Sequence, residues 1–200
     1  MNRAYTTTFF FLWGMLGWAY ALYGSHALMH WIQDDRVLWA DEIVQIWTRF
    51  GEGYPGLLAL GALAWLYRGT TSLRPVLRAF LYTILLAYLI PQGLKWIFSE
   101  APRPWKVFPS VQDLPGLTRS FAKSFPSGHT AFAVAWTAAW STLAPAKFKA
   151  SIGLCLIAFG VGYSRMHLHM HWLHDVVAGG LIGFFCAYAG IRLSGFTQTS

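Results

Sequence analysis

His171 and Asp175 stand four residues apart, a spacing that on a helix sets a carboxylate one turn from an imidazole. A ring held at Nδ1 by that carboxylate keeps Nε2 free to attack phosphorus, and the carboxylate stabilises the cationic phosphohistidine that forms. In Pro126-Ser127-Gly128-His129 the Pro and Gly set a tight turn directly before an apolar run, so free backbone N–H groups face outward at a helix start. Ser127 and the Gly128 N–H can donate to phosphate oxygens there, and His129 can protonate a departing alkoxide. Phosphoryl transfer spreads negative charge over three oxygens, and Lys95, Arg103 and Arg165 are fixed cations suited to it. Each stretch also has a plainer reading. His171 and Asp175 could simply cap a helix start, Pro126 to His129 could be a capped loop-to-helix junction, and Lys95 or Arg165 could reach lipid head groups.

The alternating run His167-Leu168-His169-Met170-His171 invites a metal. On a helix, however, positions 167 and 171 share a face with 175 that 169 does not, and no second cluster of carboxylates and histidines accompanies them. The site is therefore read as metal-free and without a cofactor. His167, His169 and His174 are assigned to the interface or to the surroundings of the site, and His26 and His30 receive no role.

The composition says what must position these groups. Two hundred residues that are 56% hydrophobic, 18% aromatic and only 12% charged carry too little polar surface for a water-soluble globule. The formal charge of +7 comes from Lys and Arg scattered singly between apolar runs, without the dense basic stripe that nucleic acid requires. Cys155 and Cys186 lie inside apolar segments and are read as inert. Eleven Trp and nine Tyr recur beside the apolar runs, as a head-group belt or as packing residues.

Six segments approach the length of a membrane-crossing helix: Thr7 to Ala27, Tyr54 to Tyr67, Pro75 to Phe98, His129 to Ala144, Ser151 to Met166 and Leu173 to Leu193. None alternates with the period of a transmembrane strand, so the expected fold is all-α, a polytopic bundle of six transmembrane helices forming one domain over 1–200. The stretch His26 to Phe50 reads equally as an amphipathic interfacial helix or as a loop. Arg3, then Arg68, Arg74 and Arg78, then Lys147 and Lys149, then Arg192 fall on one side, which makes that side, and both termini, cytoplasmic. The candidate chemistry then lies at the outer membrane–water interface. Arg103, Lys106, Arg119, Lys123 and Arg165 break the charge rule on that face, as an anion pocket would.

Taken together, the three stretches resemble the signature of the type 2 phosphatidic acid phosphatase superfamily, K-x6-RP, PSGH and SR-x5-H-x3-D. Pro126 to His129 and Ser164-Arg165 with His171 and Asp175 match it fully. The first motif departs, because seven residues separate Lys95 from Arg103; the extra one is placed in Ser99 to Pro102, with Lys106 or Lys123 as substitutes for Lys95. The resemblance covers roughly residues 90 to 190. It implies a metal-independent two-step hydrolysis of a lipid phosphate or pyrophosphate at the periplasmic or extracellular face of the inner membrane. Candidate substrates are undecaprenyl pyrophosphate, phosphatidylglycerophosphate, phosphatidic acid and a lipid A phosphate. A phosphotransferase sharing the first half-reaction and a non-catalytic carrier of anionic lipid are the alternatives. Arg119 and Lys123 are further candidates for a second phosphate.

Overall fold

A computed structural model describes residues 1–34, 37–98, 102–108, 123–144 and 148–196. The described residues form α1 (Arg3–Asp34), α2 (Leu38–Thr48), a 3-10 turn at Arg49–Gly51, α3 (Gly53–Leu66), α4 (Leu73–Ile97), α5 (Pro104–Val107), α6 (Gly128–Leu143), α7 (Phe148–His167) and α8 (Leu173–Leu193). No strand occurs among them. Helices cover all six apolar segments. Two of them, α4 and α8, are long and apolar enough to cross a membrane by length and composition. At ~1.5 Å per residue, the 14 residues of α3 reach only ~21 Å, short of a ~30 Å hydrocarbon layer.

The stretch His26 to Phe50 resolves into two parts. Its first residues continue α1 beyond a break at Gly24, whose φ of 70° lies in the left-handed region that favours glycine. The second part is α2, whose buried Asp41 and Val44 face the end of α7 while Ile43 and Ile46 point outward. The helical reading of this stretch therefore holds for Leu38–Thr48.

The bundle closes around α8, which lies along α6 and α4 at a distance that only glycine permits. A Cβ at Gly179 would sit 2.5 Å from the carbonyl oxygen of Ser127, and one at Gly183 would sit 2.2 Å from that of Ala131. Both oxygens belong to the start of α6, so this stripe sets the depth at which the Pro126–His129 turn meets the Asp175 end of α8. On the far side, Phe9 stacks on Trp13 and Phe184 with centroids 4.5 and 4.6 Å apart, and the Tyr5 hydroxyl bonds Thr137 at 2.7 Å. These contacts fasten α1 to α8 and α6.

The tryptophans divide between surface and interior. Trp18, Trp39, Trp65 and Trp96 are exposed, whereas Trp13, Trp136 and Trp172 pack inside. Cys155 and Cys186 are buried thiols.

The close α6–α8 approach predicts that Gly183→Ala lowers stability by about 1–3 kcal/mol through overpacking. Gly14→Ala, with no atom within 4 Å of the added methyl, should be neutral or mildly stabilising. Thermal unfolding of the two variants in detergent checks the contrast.

Candidate active site

Lys95, Arg103, Gly128, His129, Arg165 and His171 line one cavity of about 480 Å³ at a single end of the bundle. Chain direction explains the convergence. Lys95 is in the last turn of α4 and Arg165 in the last turn of α7, while Gly128 and His129 begin α6 and Asp175 lies in the first turn of α8. Antiparallel neighbours thus bring two helix ends and two helix starts to the same level.

His171 is not on a helix. It lies between His167, the last residue of α7, and Leu173, the first of α8, and Arg165 O accepts the backbone N–H of both Met170 and His171. The reason is Asp175. Its Oδ2 accepts the Trp172 N–H at 2.9 Å, which caps α8, and also faces His171 Nδ1 at 3.3 Å. The Ser124 hydroxyl donates to the same oxygen. Capping and holding the imidazole are therefore one arrangement rather than alternatives. Oδ1 of Asp175 is buried, 3.3 Å from His174 Nε2 but without hydrogen-bond geometry.

Arg103 approaches the other ring nitrogen. Its NH1 donates to the Met170 carbonyl at 2.7 Å and lies 3.4 Å from His171 Nε2, and its NH2 donates to the Lys123 carbonyl at 3.3 Å. With a carboxylate at Nδ1 and a guanidinium N–H at Nε2, the neutral ring has its proton on Nδ1 and its lone pair on Nε2. Burial pushes the His171 imidazole down to about 3, a shift that the Asp175 hydrogen bond opposes and the Arg103 and Arg165 charges reinforce. Burial likewise lowers Arg103 below the ordinary guanidinium value, against the pull of Asp175.

Arg165 is buried, with NH1 donating to Thr48 Oγ1 at 2.9 Å. Its Nε–H has no acceptor among the described residues. An oriented guanidinium with an unspent buried donor, beside two more cations and the start of α6, is suited to a phosphate-sized anion.

Lys95 lines this cavity despite its longer spacing to Arg103, and its Nζ lies 3.9 Å from where a Cβ on Gly128 would be. Residues 99–101, which include most of the inserted stretch, lie outside the described residues, as does Arg119. Lys106 and Lys123 do not line the cavity; Lys106 lies over the Trp105 ring and Lys123 over Trp96. Ser127 departs from its expected position. Its hydroxyl caps α6 through Thr130, at 2.8 Å from Oγ1 and 3.4 Å from the backbone N, and does not line the cavity.

The alternating histidines diverge because the chain turns after His167, with His169 at a φ of 53°. His167 Nε2 pairs with buried Asp41 at 2.8 Å, His169 Nδ1 faces the His167 carbonyl at 3.1 Å, and His174 Nδ1 faces Ser25 Oγ at 2.8 Å. The ring of His26 packs on Trp172 and that of His30 on Phe108. Among the described residues no group of three or more His, Cys, Asp or Glu is arranged to hold a metal.

Sequence reasoning missed Asp41, Thr48, Gly51 and Ser124. Ser124 offered a signal, standing just before the Pro126–His129 turn; the others are local to α2 and its 3-10 turn, and no spacing links them to positions beyond 124.

The model of the PAP2 superfamily matches residues 76–198. The chain belongs to the PAP2 superfamily. Within this superfamily it is similar to lipid phosphate phosphatase 1 of Arabidopsis thaliana, 31% identical over 134 residues, 54% of this chain and 41% of that one. It is also similar to phosphatidylglycerophosphatase B of Escherichia coli K12, 43% identical over 63 residues, 30% of this chain and 25% of the other. It therefore spans less than half the length of these curated relatives. Among solved structures, Aquifex aeolicus LpxE aligns with a TM-score of 0.66 at 27% identity, covering 82% of this chain and 93% of that one. The PAP2-type phosphatidylglycerolphosphate phosphatase of Bacillus subtilis aligns over the whole of both chains with a TM-score of 0.64, at 22% identity, a likeness of fold. The PAP2 match begins inside α4, so α1 to α3, with Asp41, Thr48 and Gly51, lie outside it.

His171 titrates near 6.5 in an unfolded chain and near 3 when folded, so the unfolded state takes up the proton first as pH falls. The wild type should therefore lose stability relative to His171→Gln between about pH 6.5 and 4.5, by on the order of 1–3 kcal/mol. Thermal melts of both proteins across that range check the sign.

Proposed function

We propose that this protein is an integral membrane lipid phosphatase that works through a phosphohistidine on His171. The observation that carries the reading is what adjoins the cavity. A groove of about 460 Å³, lined by Leu57, Leu81, Ile84 and Leu85 among others, shares Gly53, Tyr88 and Phe132 with the cation-lined cavity. A substrate with a phosphate at one end and a hydrocarbon chain at the other fits both at once.

In the first step Nε2 of His171 attacks phosphorus. The P–N bond forms as the P–O bond breaks, and His129 gives its proton to the departing oxygen. Water, giving a proton to the same His129, then breaks the P–N bond and releases phosphate. Lys95, Arg103, Arg165 and the Gly128 N–H hold the phosphoryl oxygens, Asp175 stabilises the charged ring, and Ser127 keeps the turn in shape by capping α6. No metal or other cofactor enters either step.

The chain acts as one unit over 1–200, because the turn before α3 forms part of the cavity wall. Six helices, α1, α3, α4, α6, α7 and α8, cross the inner membrane, the short α3 together with the residues that flank it, and α2 lies at its surface. Tyr67 bonds the Leu143 carbonyl, and Met1, Thr142, Arg192 and Phe196 line a small pocket at the end remote from His171. Arg3, Arg68, Arg74, Lys149 and Arg192 gather there, which supports cytoplasmic termini and a periplasmic or outer active site.

The name of the Escherichia coli relative puts phosphatidylglycerophosphate first in a panel that also includes phosphatidic acid, undecaprenyl pyrophosphate and a lipid A phosphate. Phosphate release from that panel by purified protein should survive chelator and fall with vanadate. His129→Ala should lower kcat by roughly 10²- to 10⁴-fold, and His171→Ala should abolish release. Retained release in His171→Ala contradicts the mechanism.

A further inference from the structure

Glu52 lines the same cavity, an acid among groups that otherwise suit an anion. It precedes α3 with an extended backbone, φ −86° and ψ 171°, and its side chain makes no capping hydrogen bond. Its charge is felt by the Arg165 guanidinium, and toward the rest of the cavity it opposes phosphate and suits a different part of the substrate.

The chain before Glu52 is fixed at several points. Thr48 receives the Arg165 guanidinium, the Phe50 carbonyl accepts the Trp136 Nε1–H at 2.9 Å, and Trp47 Nε1 donates to the Ile157 carbonyl at 3.1 Å. Gly51 is packed so tightly that a Cβ there would lie 2.8 Å from both the Cβ and the carbonyl oxygen of His129. Glu52 follows directly and is exposed at the mouth, and Gly53 after it borders the apolar groove. Glu52 thus lines the cavity between a neighbour packed on His129, Gly51, and a neighbour that borders the groove, Gly53. His129 is the side on which the leaving oxygen departs.

We propose that Glu52 reads the leaving group, a role that rests on the phosphatase reading above. It accepts a hydrogen bond from a hydroxyl or ammonium next to the scissile P–O bond, and it repels a second phosphate in that position. The site thereby favours lipid phosphomonoesters over lipid diphosphates of the same tail.

The test compares kcat/KM for phosphatidic acid and for diacylglycerol pyrophosphate in matched micelles, using wild type, Glu52→Gln and Glu52→Asp. In Glu52→Gln the diphosphate-to-monophosphate ratio should rise about tenfold, the scale of one partly screened charge pair. Glu52→Asp, which keeps the charge, should stay near the wild-type ratio. An unchanged ratio in Glu52→Gln, in a protein whose wild type is active, overturns the Glu52 role alone. Wild type that releases phosphate neither from these two lipids nor from any lipid of the panel above overturns the phosphatase reading, and this inference with it.

Discussion

Oδ2 of Asp175 ties together three parts of the chain: the Ser124 hydroxyl before the α6 turn, the Trp172 N–H that starts α8, and Nδ1 of His171. Buried carboxylates are costly unless their lone pairs are met, and here one oxygen meets three donors. The same residue's carbonyl accepts the Ser127 N–H at 3.0 Å. Asp175 thus sets the start of α8, the start of α6 and the rotation of the His171 ring together. Its loss would leave a helix uncapped and an imidazole free to turn, so geometry and reactivity would fail as one.

Around that centre two guanidiniums are buried and held in fixed orientations. Arg103 and Arg165 are each nearly covered, and each spends part of its donor set on neutral acceptors: the carbonyls of Met170 and Lys123, and the Thr48 hydroxyl. Neutral acceptors orient a guanidinium, and carboxylates act on both as well, Asp175 on Arg103 and Glu52 on Arg165. The unpaired Nε–H of Arg165 marks one direction from which a phosphate is met. The N-terminal elements supply part of this scaffold, although the superfamily match begins only at residue 76. Asp41 holds the end of α7 through His167, and Thr48 holds Arg165 itself.

The helices were largely legible in the sequence, because long apolar runs rich in Leu, Ala and Phe can do little else in lipid. The lining of the cavity by Lys95, Arg103, Gly128, His129, Arg165 and His171 was legible too, since each lies at an end of an apolar run on the same side. Geometry within those ends was not. Spacing put His171 one helical turn before Asp175, but Asp175 spends its carboxylate on the Trp172 N–H and starts α8 after the histidine. Ser127 was expected to face phosphate, whereas the orphan N–H at the start of α6 takes its hydroxyl instead. Thr48, Gly51 and Asp41 carry no local pattern at all. Their places depend on α2 docking against α6 and α7 from more than a hundred positions away or from 78 positions away at His129, and only a folded chain expresses that.

A covalent P–N bond at His171 is the step that gives the surrounding residues their proposed roles. A single turnover with lipid labelled at the terminal phosphate, quenched in alkali within milliseconds, should leave a base-stable, acid-labile label on the peptide containing His171 and none on the peptide containing His129. Phosphate release without any protein-bound label across the turnover, or label on a residue other than His171, would contradict it.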